Sequence, residues 1–303
     1  MTAAAEAVGP SPMVERSKLL PFLALGGVVL IWGMGPPISK LITAPTTTIV
    51  AVRMWLAAPL ALLAQRMSGS TPRWSTIKRA WKGGVFFGGN MLLFFTALKH
   101  VSVATITLIG VLQPIIVSLV SVRLFGERLT RWWAGWTAVA IGGVGIAVLT
   151  AGKSLRATPF GLLISICTIS MLSGYLLASR SARRTLSPNE YLAGVMFWAA
   201  IMVTIPVLFQ GLALGQLSHR DWLWLLVILF GPGWLGHFLL NWAITQLPMS
   251  ITALQGLPST VLSIGLAWPI NHEHVTASQG FAGLLTLTAI GMIVHGPLRR
   301  VRT

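Results

Sequence analysis

The sequence predicts an all-α integral membrane protein, with ten transmembrane helices arranged as two inverted five-helix repeats. Three observations predict it. The 303 residues are 54% hydrophobic and only 9% charged, with a mean hydropathy of +0.78. A soluble domain carries roughly 25% charged residues, and a chain this apolar could not cover its surface in water. Apolar runs near the length of a bilayer crossing, about 20 residues, recur along the whole chain. Residues 92–130 also align without a gap on residues 238–276, at a separation of 146.

In chain order the runs are 19–42, 46–67, 81–98, 102–124, 131–151, 159–179, 190–214, 221–246, 250–270 and 276–297. All must be helices, because an open sheet leaves backbone groups unsatisfied in lipid. The runs are too long, and alternate too little, for the strands of a membrane barrel. The first run is longer than a signal-peptide core, with no clear small-residue cleavage site after it, so no cleavable leader is expected. A single cysteine, Cys167, excludes a disulfide framework and a thiolate metal cluster.

The formal charge of +16 could suggest nucleic acid. The basic residues instead fall in short connections, as the positive-inside rule predicts. With a cytoplasmic N-terminus, the tails and the connections 66–82, 123–131 and 180–184 hold sixteen Lys and Arg, and the outer loops hold five (Lys40, Lys99, Lys153, Arg156 and Arg220). Both termini are therefore expected in the cytoplasm. Trp74, Trp81, Trp132, Trp133, Trp222 and Trp224 stand near run ends, as interfacial anchors do.

The offset of 146 places Leu93, Ala97, Leu108, Gly110, Glu127 and Thr130 on Leu239, Ala243, Leu254, Gly256, Glu273 and Thr276. Five runs per half is an odd number, so the second half enters the membrane upside down, a pattern typical of secondary transporters. The expected halves are 1–152, with a short cytoplasmic tail, and 153–303. Glu127 in "LFGERLT" and Glu273 in "INHEHVT" occupy corresponding turns, Glu127 inside and Glu273 outside. Each precedes a helix whose unpaired N–H groups favour a carboxylate.

Enzyme signatures are missing: the sequence holds no HExxH, Walker loop, GxSxG or intramembrane aspartate pair, and no cofactor is expected. His272 and His274 stand at i and i+2 in a turn, a poor metal spacing, so no metal is expected there. The acidic residues lie in the tail (Glu6, Glu15), in turns (Glu127, Glu273) or at run starts (Glu190, Asp221). No carboxylate is expected near the midplane, which argues against a carboxylate proton relay.

The candidate substrate-binding residues are His237, Asn241, Gln113, Gln255, Asn90, Trp32, Tyr175 and Arg53. His237 lies near the middle of its run with Asn241 one turn on; the bland alternative is an interhelical hydrogen bond. Arg53 lies about 10 Å deep at 1.5 Å per residue, suited to a carboxylate but also to helix carbonyls or snorkelling. Pro114 and Pro258 interrupt corresponding runs and are the candidate hinges, since paired interruptions point to the binding region. Gln113, Gln255 and Ser259 stand beside them, and Asn90 is close to the repeat position of His237. Trp32 and Tyr175 offer aromatic walls or plain packing. Gly84 and Gly88 form a small-xxx-small pair suited to close helix packing.

The five-plus-five repeat, "IWG" at 31–33, Arg53 early in its run and "LFGERLTRWWAGWTAVAIGGVGI" at 124–146 together resemble the EamA-type transporters of the drug/metabolite transporter superfamily. The second half departs from the pattern, with His272 where Gly precedes the Glu. The resemblance covers nearly the whole chain. It implies export of small organic solutes, most simply amino acids or related metabolites, by alternating access through a central cavity. Drugs and amphipathic cations, or a passive pore, are the alternatives; no charged ring or carbonyl filter marks a pore. The implied setting is the inner (plasma) membrane. The implied partners are a small-molecule substrate and the lipid bilayer, without nucleic acid, in a monomer or homodimer.

Overall fold

A computed structural model of the chain describes residues 12–101, 109–110, 112–149, 158–271 and 277–300, and among these residues there is no strand. The first half contributes α1 (Pro12–Ser39), α2 (Thr46–Met67), a short α3 (Trp74–Arg79), α4 (Trp81–His100), α5 (Gln113–Phe125) and α6 (Arg131–Leu149). The second half contributes α7 (Pro159–Ala182), α8 (Pro188–Gln210), α9 (His219–Ile228), a π-helical turn (Leu229–Leu235) and α10 (Gly236–Ala243). It ends with α11 (Met249–Thr252), a 3-10 turn (Ala253–Gln255), α12 (Gly256–Asn271) and α13 (Ala277–Arg300). Glu273 and the His272–His274 pair lie outside the described residues.

Among the described residues, five segments are long and apolar enough to cross a bilayer by length and composition: Leu19–Ser39, Thr46–Met67, Pro159–Ala182, Pro188–Gln210 and His219–Ala243. The run 250–270 is divided by the 3-10 turn Ala253–Gln255, and residues 102–108 and 111 of the run 102–124 lie outside the described residues. Pro114 stands in the first turn of α5, and Pro258 in the first turn of α12, directly after the 3-10 turn. A proline there loses no intrahelical hydrogen bond, since the first N–H groups of a helix have no partner anyway. The two prolines therefore begin helical pieces; neither removes a bond from the middle of one.

Local chemistry fixes the helix starts. Thr158 accepts from the Gly161 N–H at 3.0 Å, ahead of Pro159 at the first helical position. Ser187 with Glu190, and Ser218 with Asp221, form reciprocal capping boxes for α8 and α9. Close packing follows from small residues: a Cβ on Gly88 would stand 3.0 Å from Met202 Cβ and 3.1 Å from Ala199 Cα, so α4 and α8 approach nearly backbone to backbone.

The helices pack by a rule of exchange between halves. The second and seventh runs, α2 and α8, pack on each other, as do the fifth and tenth, α6 and α13. The third packs on the sixth (α4 on α7), matched by the eighth on the first (α9, the π turn and α10 on α1). The fourth packs on the sixth (α5 on α7), matched by the ninth on the first (α12 on α1). Equivalent helices run antiparallel. At the start of α2, Thr47 meets Gln210 at the end of α8 at 2.5 Å, and past its end Ser70 donates to Glu190, at the start of α8, at 2.8 Å. On the α6–α13 seam the Thr286 hydroxyl donates to Ala140 O at 3.4 Å, and these residues are 146 apart. Positions equivalent by the sequence offset touch each other, as a twofold axis passing between them requires.

Most of the bundle's basic residues gather at one end, together with the α2–α4 connection, the α5–α6 turn and the starts of α8 and α11. The Arg184 guanidinium lies 5.5 Å from the Phe125 ring, joining the α7–α8 and α5–α6 connections there. The opposite end holds the α1–α2 connection and the starts of α7 and α9, tied by Thr43 N–H to Asp221 at 2.8 Å. Leu119, Leu208 and Phe209 are among many large apolar side chains left exposed on the outer faces. An apolar exterior around polar ends is the surface a bilayer demands.

Candidate functional site

A cavity of about 240 Å³ opens between α1, α2, α4, α5, α7, the π-helical turn and α12. Six sequence candidates line it: Trp32, Arg53, Asn90, Gln113, His237 and Gln255. Pro114 lines it too, whereas Pro258 does not, although its neighbours Leu257 and Ser259 do. Gly110 and Gly256, equivalent by the offset, both reach it, as do Met91 and His237, another equivalent pair.

Tyr175 and Asn241 stand behind the cavity wall. The Asn241 amide donates to the Tyr175 hydroxyl at 2.8 Å and to His237 O at 2.8 Å. That hydroxyl lies 3.1 Å from His237 Nδ1. The hydroxyl thus bridges the Asn241 amide and the His237 imidazole, and the direction of its bond to Nδ1 follows the histidine tautomer. Trp32 and Phe87 pack on the imidazole with centroids at 4.8 and 4.6 Å. Tyr175 and Asn241 thus hold His237 in place from behind. Sequence reasoning put His237 and Asn241 on one face; it could not show that a tyrosine from another helix sits between their side chains.

Arg53 is only 6% exposed. Its Nη1 donates to Met91 Sδ at 3.5 Å, a weak acceptor, and its buried Nε has no partner. The local geometry explains how a guanidinium fits here. Pro232 has no N–H to offer Ile228 O four residues back, and the chain answers with the π-helical turn. A Cβ on Gly233 would stand 2.8 Å from Ile228 O and 3.2 Å from Arg53 Nη2. A Cβ on Gly236 would stand 2.5 Å from Trp32 Nε1. The stretch "GPGWLGH" (231–237) therefore leaves room for Arg53 and Trp32, and Trp32 Nε1 donates to Pro232 O at 3.1 Å. Glycines flanking a proline within an apolar run were the available signal for this turn.

The glutamines are also incompletely partnered. Gln113 is 4% and Gln255 3% exposed, and Gln113 Nε2 and both amide atoms of Gln255 lack partners. Asn90 differs, since its Nδ2 donates to Thr168 O at 3.0 Å. Ser259 Oγ is satisfied by Gln255 O at 2.9 Å and Thr260 Oγ1 by Gly256 O at 3.0 Å. Sequence reasoning missed Met91, Ser263 and Thr260 in the lining because their types carry no charge signal.

The cavity runs from the middle of the bundle toward the end bearing Ser39, and the basic end is tied shut below it. Arg180 donates to Ile244 O and, at 2.9 Å, to Leu247 O; Arg183 donates to Asn241 O at 2.8 Å and to Leu186 O. Glu127 accepts from the Met249 and Ser250 N–H groups at 2.5 and 3.1 Å and from Ser121 Oγ at 3.2 Å. This corrects the sequence expectation for Glu127. The carboxylate does meet unpaired helix N–H groups, but those of α11 in the other half; its own next helix is served by Thr130, which accepts from Trp133 N–H at 3.1 Å. Gly126, left-handed at φ 67°, ends α5 and turns the chain so that Glu127 reaches across.

The EamA-like transporter family pattern matches residues 20–150 and again 159–295. The pseudopaline exporter CntI of Pseudomonas aeruginosa is 23% identical over 255 residues, covering 82% of this chain and 85% of CntI. Protein PecM of Dickeya dadantii is 31% identical over 125 residues, covering 41% of this chain and 40% of PecM. A solved crystal structure superposes with a TM-score of 0.75 at 19% identity, covering 91% of this chain and 98% of the other, a likeness of fold.

Proposed function

Because the chain belongs to the EamA-like transporter family, a family of membrane transporters with two repeats, we propose that it exports small organic solutes by alternating access through the cavity around His237 and Arg53. Amino acids and related metabolites are the substrate class. The observation that carries this reading is the half-open cavity: its polar, partly unpartnered groups face the middle of the bundle, one end is tied shut, and the walls belong to both halves. A site between two repeats is where a rocking transporter binds its cargo. The exporter CntI, similar over most of its length, supports the outward direction.

In this reading the chain makes ten crossings as two inverted repeats, 1–152 and 153–303, in the inner membrane. The basic end and both termini face the cytoplasm, and the protein acts as a monomer or homodimer. His237, Gln113, Gln255, Asn90, Arg53 and Trp32 contact cargo, while Asn241 and Tyr175 orient His237. Pro114 and Pro258 are the hinges. No midplane carboxylate is expected, and transport runs down the solute's own gradient, or by exchange, without obligatory proton stoichiometry. The test is flux of labelled amino acids in proteoliposomes, with and without an imposed pH gradient. Saturable counterflow separates a carrier from a pore. Proton-driven accumulation that disappears in His237→Ala would show His237 to be a proton carrier and overturn the uncoupled mechanism.

A further inference from the structure

The cavity holds one buried cation, Arg53, beside two glutamines whose amides are incompletely partnered. Arg53 Nε, Gln113 Nε2 and both amide atoms of Gln255 are buried and without partners. All three residues line the cavity and are more than nine-tenths buried. His237 also lines the cavity, held at Nδ1 by the Tyr175 hydroxyl. Arg53 supplies a fixed positive charge, because a guanidinium keeps its proton in proteins. Among the described residues, no acidic residue lines the cavity. Three carboxylates are engaged elsewhere: Glu127 by Met249 and Ser250, Glu190 by Ser70 and Ser187, and Asp221 by Thr43 and Ser218.

A buried cation without a counter-ion is unfavourable in a bilayer, and a buried unpaired donor adds to that. Both are relieved by the same ligand group, a planar anion with two acceptor oxygens, which the guanidinium fork and amide donors fit. Beside Arg53 the walls are apolar or aromatic: Trp32, Phe87, Phe94, Met91 and Leu172. From this uncompensated cation we infer that the site recognises a free carboxylate attached to an apolar or aromatic body, with Arg53 as the specificity-determining residue and the Gln113 and Gln255 amides completing the carboxylate's shell. The inference rests on the transport reading above and narrows it. Amphipathic cations are rejected, because they would meet Arg53 with no carboxylate to offset it. Zwitterionic amino acids are accepted through the carboxylate, with Gln255 Oε1 left for the ammonium.

A matched series tests this: 3-phenylpropanoate, phenylalanine and phenylalaninamide share one aromatic body and differ in the carboxylate. Binding is read from ligand-induced thermal stabilisation and tryptophan fluorescence of the purified protein, and transport from flux in proteoliposomes. The two carboxylates are expected to bind and the amide is not. Arg53→Gln should weaken carboxylate binding about ten- to a hundredfold, the range for hydrogen bonds to a charged group, and Arg53→Lys should recover part of it. Equal binding of phenylalaninamide, no binding of either carboxylate, or unchanged discrimination in Arg53→Gln would each overturn the inference. The wild-type series decides the matter alone if Arg53→Gln fails to fold. Carboxylates that bind but are not carried would refute transport and leave the recognition standing. An amide carried in place of the acids would do the reverse.

Discussion

Removing the Glu127 carboxylate should open the basic end of the bundle. Met249 and Ser250 are buried, at 0% and 7% exposure, and their N–H groups belong to the exposed-dipole start of α11. In Glu127→Ala the closed arrangement keeps these two amides while losing their charged acceptor. Hydrogen bonds to a charged group contribute about 1.5–3 kcal/mol, and a carboxylate at a helix start up to about 2. Water replaces part of this at a partly exposed turn, so a net loss of about 2 kcal/mol is reasonable, which shifts the closed-to-open ratio about thirtyfold at 1.4 kcal/mol per tenfold. Ser259 lines the cavity and serves as the reporter position. In a Cys167→Ser background, Ser259→Cys should react with a membrane-impermeant thiol reagent from the basic side about thirty times faster once Glu127→Ala is added. An unchanged rate from that side, with the protein still folded, would refute the view that this carboxylate holds the end shut.

Three further outcomes follow. Gly233→Ala places a methyl 3.2 Å from Arg53 Nη2 and 2.8 Å from Ile228 O, so transport should fall several-fold while expression changes little; equal losses of both would show a folding defect only. Tyr175→Phe removes the hydroxyl between Asn241 and His237, leaving His237 Nδ1 unpaired and the Asn241 amide with His237 O alone, at about 1–3 kcal/mol, which a lowered melting temperature and weakened binding should both register. Gly88→Leu must displace Met202 or separate α4 from α8, and should reduce the yield of folded protein sharply, as measured by size-exclusion profiles.

Much of this architecture was legible in the sequence because the bilayer imposes length, composition and charge asymmetry. The offset of 146, read from residues 92–130 and 238–276, also relates Ala140 and Thr286, which touch in the structure. Arg53, His237, Gln113, Gln255, Asn90 and Trp32 could be selected because polar or amphipathic groups in an apolar run need a reason. What the sequence hid was pairing across helices. Glu127 looked like the start of its own next helix, since nothing local distinguishes an N–H at 133 from one at 249. Tyr175 and Asn241 looked like cavity residues because depth along a helix is legible and the direction of a side chain is not.

The unpaired guanidinium of Arg53 has a consequence for the membrane voltage. An empty carrier that rocks between its two states moves this positive charge with part of the field; a carrier loaded with a monoanion moves none. Each cycle that exports one monoanion therefore displaces one net elementary charge, worth about 2.3 kcal/mol per 100 mV. An interior-negative membrane drives that charge outward, so directional export of an anion needs no second ion, whereas a zwitterion would move silently. Equilibrium distributions in proteoliposomes held at a fixed potential distinguish the two: 3-phenylpropanoate should settle at a gradient set by the voltage, whereas phenylalanine should settle at equal concentrations on both sides.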